Sequence, residues 1–234
     1  MQLGQNRPKM RAEVVEVSQR TEPGCVSSRC PADEAAVDLY WLPLGAGGHS
    51  VRWNGRAFEA VAARLKHRSA RDLYHSALEG RLPGMGRYVI EQAPVPDARG
   101  RDRGVVAEGP VGARWAGRAR IFRYEVRRWR DGAIPDGAEA VESPLRLTDD
   151  PRISQRLWDC VPDLPTPVWG RDDLDAGEMW NSNSIVSRLI VRSGLPIERI
   201  QPPAGGRAPG WNAGIVVAQR GLQVGRELPL GSAA

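Results

Sequence analysis

Frequent proline and glycine residues constrain the fold of this chain more than any other feature of its sequence. The 234 residues include 19 prolines and 26 glycines. Proline interrupts helices and both residues are typical of turns, so the pattern disfavours a bundle of long helices. It favours many short strands joined by turns. Because the hydrophobic content of 41% is ordinary for a globular protein, we expect one core of mixed α and β, or mostly β, class.

The two ends of the chain lack a pattern that could form a core. Residues 1–36 mix proline, serine, cysteine and charge without periodicity, which predicts a disordered N-terminal segment. A single α+β domain is expected over residues 37–220, followed by a C-terminal tail over residues 221–234. No apolar run approaches the roughly 20 residues that cross a bilayer, and no apolar core of a secretion signal is present. We therefore expect no transmembrane segment and a cytoplasmic location.

Alternation of apolar and polar residues predicts several strands. Asn54 and Gly55 suit the two central positions of a type I′ turn, so the alternating runs on either side predict a β-hairpin. Four further segments have the character of strands: residues 72–79, 86–95, 104–110 and 119–129.

Arginine supplies the formal net charge of +5, since lysine occurs only at Lys9 and Lys66. The arginines are concentrated in residues 64–71 and 118–130. In the second run, strand alternation predicts a buried face that consists of Phe122, Tyr124 and Val126. The opposite face, in contact with water, would consist of Arg123, Glu125 and Arg127. We interpret both runs as solvent-facing surface, with binding of nucleic acid or an anionic lipid surface as the alternative.

Helical periodicity appears in the last third of the chain. Asp150 can cap a helix that has Pro151 as its first residue and stops before Pro162. The buried stripe of this helix would consist of Ile153, Leu157, Cys160 and Val161.

A second helix is predicted after Trp180. Ser182 or Asn183 can cap it, and Gly194 followed by Pro196 can end it. Its buried stripe would consist of Ile185, Val186, Leu189 and Ile190. Residues 203–220 then combine a glycine-rich loop with a short apolar run whose type the sequence leaves open.

The three cysteines predict neither a disulfide framework nor a metal site. Cys25, Cys30 and Cys160 are odd in number, and none has the spacing of a zinc ligand. Cys160 falls near a predicted helix C-terminus, where the dipole disfavours a thiolate, so we interpret it as structural rather than nucleophilic. No cofactor or metal is expected.

Ser182 has a position that suits a nucleophile. Free backbone N–H groups and the positive end of the dipole at a helix start favour a developing anion. A serine also needs a base, and among the histidines only His49 begins a well-defined predicted strand after a glycine-rich approach. Helix capping is the alternative role for Ser182, and a bond to the backbone at a strand end is the alternative for His49.

The segments "GGHSVRWNGRAFEA" and "WNSNSIVSRLI" resemble the permuted papain-like superfamily, which includes lecithin retinol acyltransferase and bacterial NlpC-type peptidases. In that superfamily a Gly-His strand precedes a cysteine at the start of a later helix. His49 matches the histidine, and Ser182 stands where the cysteine would be. The resemblance covers the order of elements over residues 38–195. It implies an α+β fold in which an antiparallel sheet carries His49, with a few helices packed against it.

Members of this superfamily usually add a third polar residue that orients the histidine. Glu59 is close in sequence, but a two-residue turn at residues 54–55 pairs it with Ser50, on the face opposite to His49. Only a bulge would bring Glu59 to that face, and His75 or Glu91 from a more distant strand is an equal candidate.

Three functions follow from these observations. The resemblance implies a hydrolase or acyltransferase for an amide or ester in a small molecule, peptide or lipid, in which His49 deprotonates Ser182. Serine in place of cysteine equally suits a non-catalytic binding module on the same scaffold. The third function is an arginine-rich nucleic-acid-binding protein, which the interpretation of the arginines as solvent-facing surface disfavours.

Overall fold

A computed structural model of the chain describes residues 34–44, 71–95 and 104–227. These residues form an antiparallel sheet and three α-helices, which confirms the predicted α+β class. The strands are β1 (Ala36–Pro43), β2 (Tyr74–Leu82), β3 (Gly86–Pro94), β4 (Val105–Pro110), β5 (Arg123–Arg130) and β6 (Val141–Thr148). The helices are α1 (Pro151–Asp159), α2 (Ser182–Ser193) and α3 (Trp211–Glu227).

The six strands lie in the order β4-β5-β3-β2-β1-β6, and all neighbouring strands are antiparallel. β1 and β2 pair from Ala36 opposite Arg81 to Pro43 opposite Tyr74. β4 and β6 form the two edges of this sheet. β6 is not among the strands predicted from sequence, because Pro144 interrupts its pattern, and a proline is tolerated at a sheet edge.

One face of the sheet carries the hydrophobic core. Its central side chains are fully buried and include Val37, Leu39, Trp41 and Leu78. α1 and α2 pack against this face. The predicted stripe of α2 is confirmed, since Ile185, Val186, Leu189 and Ile190 are each no more than 1% exposed. Burial of one such side chain contributes about 1.5–3 kcal/mol.

The signals that predicted α1 are confirmed. Asp150 caps the helix by accepting a hydrogen bond from the Arg152 N–H at 2.7 Å, and Pro151 is the first helical residue. The helix ends at Asp159, before the next proline as predicted. Within the predicted stripe, Leu157 and Val161 are buried. Ile153 and Cys160 are partly buried and pack against the core.

The cap of α2 is Asn181, so the prediction of Ser182 or Asn183 is wrong. Asn181 has an extended backbone, and its Oδ1 accepts hydrogen bonds from the N–H groups of Asn183 (2.9 Å) and Ser184 (3.4 Å). Ser184 Oγ accepts a bond from the Asn181 N–H at 3.1 Å and completes a capping box. Because the sequence "NSNS" offers four capping side chains in succession, residue preference alone does not choose among them. Gly194, at a φ of 87°, ends the helix as predicted.

α3 settles the apolar run whose type the sequence left open. It continues to Glu227, beyond the predicted start of the C-terminal tail at residue 221. The helix packs closely on α2 because Gly214 has no side chain. A Cβ at this position would overlap the Ser184 carbonyl oxygen and the Ser187 hydroxyl.

β5 corrects the predicted burial pattern of residues 119–129. The strand begins at Arg123, because the residues before it form a 3₁₀ turn, and Phe122 is 45% exposed instead of buried. Tyr124 and Val126 are buried as predicted, but Glu125 and Arg127 are buried as well. Alternation shows which residues share a face, but it does not show whether a polar face meets water.

Several predictions fall outside the described residues. They concern the hairpin at residues 54–55 together with His49 and Glu59, the N-terminal segment up to residue 33, and the last seven residues. None of the helices in the described ranges has the length and apolar character needed to cross a bilayer.

Candidate functional site

Ser182 is the first residue of α2 and is 6% exposed. It lies within a run of polar residues that the sequence identified as a candidate nucleophile site. The neighbours Asn181, Asn183, Ser184 and Ser187 each make hydrogen bonds to surrounding elements, and we call these four residues the polar clasp. Its contacts show what the "NSNS" segment does in the fold.

Asn183 connects α2 to the sheet and to the segment before α3. Its Oδ1 accepts a hydrogen bond from the Ser76 hydroxyl of β2 at 2.8 Å. Its Nδ2 donates to the carbonyl oxygens of Tyr74 and Pro209, each at 2.9 Å. Asn183 is 2% exposed, so these bonds form in the interior, where an unpaired amide would be costly.

The remaining members of the polar clasp hold the start of α3. Ser184 Oγ donates to the Gly210 carbonyl oxygen at 2.8 Å, and Ser187 Oγ donates to the Trp211 carbonyl oxygen at 2.7 Å. Asn181 Nδ2 donates to the Pro209 carbonyl oxygen at 2.8 Å. These bonds satisfy backbone groups next to the helix start, so the polar residues around Ser182 have a structural function.

The first-turn N–H groups that the sequence assigned to an oxyanion are engaged by this cap. Asn181 Oδ1 accepts from the N–H groups of both Asn183 and Ser184. An oxyanion hole needs donors that are directed at the site where negative charge develops. Two such donors are therefore already used by the helix itself.

The structure places His75 on the sheet face that lies away from α2. The adjacent Ser76 bonds to Asn183 of α2, and successive strand residues point to opposite faces. Glu91 shares the face of His75, since its neighbour Ile90 belongs to the core beneath the helices. Neither residue thus faces Ser182. His49 lies outside the described residues, so its pairing with Ser182 stays a prediction.

Burial also changes the protonation of His75. It lowers the pKa of the imidazole to about 4, against the smaller opposing effect of Asp136. The side chain is therefore neutral at pH 7.

The face of the sheet opposite the helices, the outer face, carries a buried cluster of charges. Arg127 Nη1 donates to Glu91 Oε1 at 3.0 Å, and Arg127 Nε donates to Glu125 Oε1. Burial raises the pKa of Glu91, and the Arg127 guanidinium opposes that shift. Pairing with Arg127 explains why Glu125, at 1% exposure, is tolerated in the interior. The cluster therefore consists of two structural ion pairs that share Arg127.

Further ion pairs extend across the outer face to both edges of the sheet. Arg146 and Arg81 contact Asp38 at 2.6 and 3.4 Å, Arg87 contacts Glu79 at 2.9 Å, and Arg123 contacts Glu108 at 3.0 Å. Most of these pairs join neighbouring strands and several are partly exposed, a class that contributes about 0–1 kcal/mol each. The charged side chains of the outer face therefore serve to pair neighbouring strands.

Metal-ligating side chains do not converge in the described part of the chain. No group of three or more His, Cys, Asp or Glu residues there could hold a metal ion. Cys160 is half-buried and forms the C-cap of α1, near a helix C-terminus as the sequence indicates.

The most exposed large apolar side chains of the described residues lie between β4 and β5, in the segment 111–122 that we call the β4–β5 loop. Trp115 is 76% exposed, Ile121 79% and Phe122 45%. The loop also contains three exposed arginines and no Asp or Glu; the arginines are Arg114, Arg118 and Arg120. It therefore presents apolar and positively charged side chains together.

Backbone hydrogen bonds give the β4–β5 loop a defined shape. The Val111 N–H donates to the Phe122 carbonyl oxygen at 2.8 Å and closes the base of the loop. The Gly112 N–H donates to the Trp169 carbonyl oxygen at 3.2 Å, and the Trp169 N–H donates to the Pro110 carbonyl oxygen at 2.9 Å. These bonds anchor the loop to the segment that precedes α2.

A cleft of about 250 Å³ lies beside the loop, and its lining includes Arg114, Arg118 and Arg123. Arg123 pairs with Glu108, and Arg114 contacts Asp173 at 3.3 Å. No ion pair joins Arg118 or Arg120 to another residue in the described ranges. Both guanidinium groups can therefore meet an external anion.

The sequence pattern identifies only part of this surface. It predicts a strand over residues 119–129, whereas Arg120 and Phe122 lie in the loop. No pattern in the sequence points to Trp115. The signal that could have identified the loop is the absence of carboxylates over residues 111–122, together with Gly112 and Gly117 on either side of Trp115.

Comparison with protein-family models, with curated proteins and with solved structures finds no match for the chain.

Proposed function

We propose that the chain is a non-catalytic binding module on a permuted papain-like scaffold, and that the β4–β5 loop contacts an anionic partner. The observation that carries this proposal is the combination of exposed apolar side chains and arginines in one hydrogen-bonded loop. Support for the scaffold comes from the antiparallel sheet and the packed helix that begins at Ser182, which is the element order that the resemblance implies.

The environment of Ser182 supports binding over catalysis. The side chain is 6% exposed, and its neighbours bond to Tyr74, Ser76 and the start of α3. A serine nucleophile needs access to a substrate and donors for the oxyanion. The cap formed by Asn181 uses donors of that kind, so the polar clasp serves the fold.

The exposed apolar side chains of the loop support a contact with another molecule. Trp115 and Ile121 are both more than three-quarters exposed, and the core does not use them. Such side chains gain about 1.5–3 kcal/mol each when a partner covers them. A cluster of this kind on a monomer is typical of an interaction site.

The charge of the loop supports a negative partner. Arg114, Arg118 and Arg120 are exposed, and no carboxylate occurs between residues 111 and 122. Guanidinium groups bind phosphate, sulfate and carboxylate by paired N–H donors. An anion would therefore find both charge and directional donors.

The experiment that tests the proposal is salt elution of the full chain from immobilised heparin, a sulfated polyanion. The variant Arg114→Glu, Arg118→Glu, Arg120→Glu should elute at markedly lower salt than the wild type. Its control is Arg152→Glu, Arg171→Glu, Arg199→Glu, which changes net charge equally through three exposed arginines elsewhere. Equal elution of the two triple variants would show that the loop has no special part in anion binding.

A further inference from the structure

We infer that the partner of the β4–β5 loop is the surface of an anionic phospholipid bilayer. In this arrangement the apolar side chains of the loop enter the boundary between headgroups and acyl chains, and its arginines contact the phosphates. The inference rests on the proposed function and names the class of its partner. Charge complementarity and the apolar character of the exposed Trp115, Ile121 and Phe122 support it.

The exposed side chain of Ile121 favours a lipid surface over a nucleic acid as the partner. It is the most exposed large apolar residue in the described ranges, at 79%. An aliphatic side chain has no π face on which a base can stack, whereas sites for single-stranded nucleic acid depend on aromatic platforms. Hydrocarbon, by contrast, accepts aliphatic and aromatic side chains alike. The presence of Ile121 beside Phe122 therefore favours lipid.

Trp115 and the arginines suit the polar layer of the same bilayer. Tryptophan is enriched at the membrane interface because its ring is apolar and its indole N–H can bond to water or headgroups. Arg118 and Arg120 make no ion pair with another residue that the structure describes, so they can contact lipid phosphate. Each basic residue near an anionic membrane strengthens binding by about fivefold.

The shape of the loop adds to the inference. Its base is closed by the bond between Val111 and Phe122, and Gly112 is bonded to Trp169. Gly117 lies so close to Pro110 that a Cβ at residue 117 would be 2.7 Å from the proline Cβ. A loop that is already ordered loses little entropy when it docks, so its exposed side chains can be used for binding.

Flotation of the full chain with lipid vesicles tests the inference. Vesicles of phosphatidylcholine alone are compared with vesicles in which phosphatidylglycerol replaces part of the phosphatidylcholine. The wild type should bind the second kind and bind the first kind far less. Ile121→Ser should weaken binding by about tenfold or more, since it removes one inserted aliphatic group. Leu222→Ser, at a residue of α3 that is 41% exposed, is the matched control and should bind like the wild type.

A single-stranded oligonucleotide distinguishes failure of this inference from failure of the proposed function. Binding to the oligonucleotide that needs Trp115 and Arg118 but tolerates Ile121→Ser, with no binding to anionic vesicles, would overturn the lipid assignment and keep the binding module. If the wild type binds neither vesicles, heparin nor the oligonucleotide, both the lipid assignment and the proposed binding function are wrong. Equal vesicle binding by the wild type and Ile121→Ser would also contradict the lipid assignment.

Discussion

Among single residues, Asn183 joins α2 to both the sheet and the segment before α3. Its side chain contacts the Ser76 hydroxyl and the Tyr74 carbonyl oxygen of β2, and the Pro209 carbonyl oxygen before α3. The two bonds to β2 are buried, and a lost partner there leaves a polar group without water. The residue therefore fixes the position of α2 on the sheet more than the adjacent Ser182 does.

Replacement of Asn183 should accordingly be more harmful than replacement of Ser182. We expect Asn183→Ala to lower the free energy of unfolding by about 2–4 kcal/mol, because the Ser76 hydroxyl and the Tyr74 carbonyl oxygen lose a buried partner. Ser182→Ala should lower it by less than about 1 kcal/mol. Urea denaturation measures both values, and equal losses would show that the polar clasp does not have the structural weight assigned to Asn183.

His75 gives the fold a definite dependence on pH. Burial lowers its pKa from 6.5 to about 4, so between these values the unfolded chain binds a proton that the folded chain does not. The contribution of neutral His75 to the free energy of unfolding is fully present above about pH 6.5. It decreases as the pH falls from 6.5 towards 4. The full effect is up to about 3 kcal/mol.

Comparison of the wild type with His75→Gln isolates this effect. We expect the wild type to lose more unfolding free energy than the variant between pH 7 and pH 4.5, since glutamine does not titrate. Urea denaturation at both pH values provides the measurement. Parallel losses in the two proteins would mean that folding does not lower the pKa of His75.

Among the elements, the pair α2 and α3 depends on one glycine. A Cβ at Gly214 would overlap two groups of α2, whereas a Cβ at Gly221 of the same helix would approach only the Arg192 guanidinium, at 3.6 Å. A side chain therefore has no room at Gly214 but has room at Gly221. Gly214 permits close packing, and Gly221 only reduces helix propensity.

Alanine at these two positions should change stability in opposite directions. Gly214→Ala is expected to lower the midpoint of thermal unfolding, at a cost of about 1–3 kcal/mol for overpacking. Gly221→Ala should raise the midpoint slightly, because alanine has a higher helix propensity than glycine by about 0.5–1 kcal/mol. Scanning calorimetry compares the two. A stabilising Gly214→Ala would show that the helices are less closely packed at this crossing.

Elements with strong local signals could be predicted from sequence. Asp150 and Pro151 define the start of α1 through contacts within one turn, and the stripe of α2 has the period of a helix. β6 could not be predicted, because Pro144 is acceptable only where the sheet ends, and sheet position is a tertiary property. The burial of Glu125 likewise depends on Arg127, which only the folded strand places beside it.

For the whole molecule, the sequence indicated the class and one candidate site, but not the exposed loop. The fold class follows from the spacing of turns and periodic segments, which is local information. The exposure of Trp115, Ile121 and Phe122 depends on how the loop is anchored to residue 169, which is distant in sequence. The same holds for the start of α2, where Asn183 bonds to β2 and Ser184 bonds to the start of α3.

The proposal that the module is non-catalytic can be tested at Ser182 itself. The measurement is the rate of alkylation by iodoacetamide against pH in Ser182→Cys, and in Ser182→Cys combined with His49→Ala. Cys25, Cys30 and Cys160 are first replaced by serine or alanine. Because the site is buried and Asn181 engages the nearby N–H groups, we expect slow alkylation with the pH profile of an ordinary thiol, near pKa 8.5, in both variants. Fast alkylation well below that pH, with a profile that His49→Ala moves upward, would contradict the proposal and identify Ser182 as the nucleophile position of an enzyme.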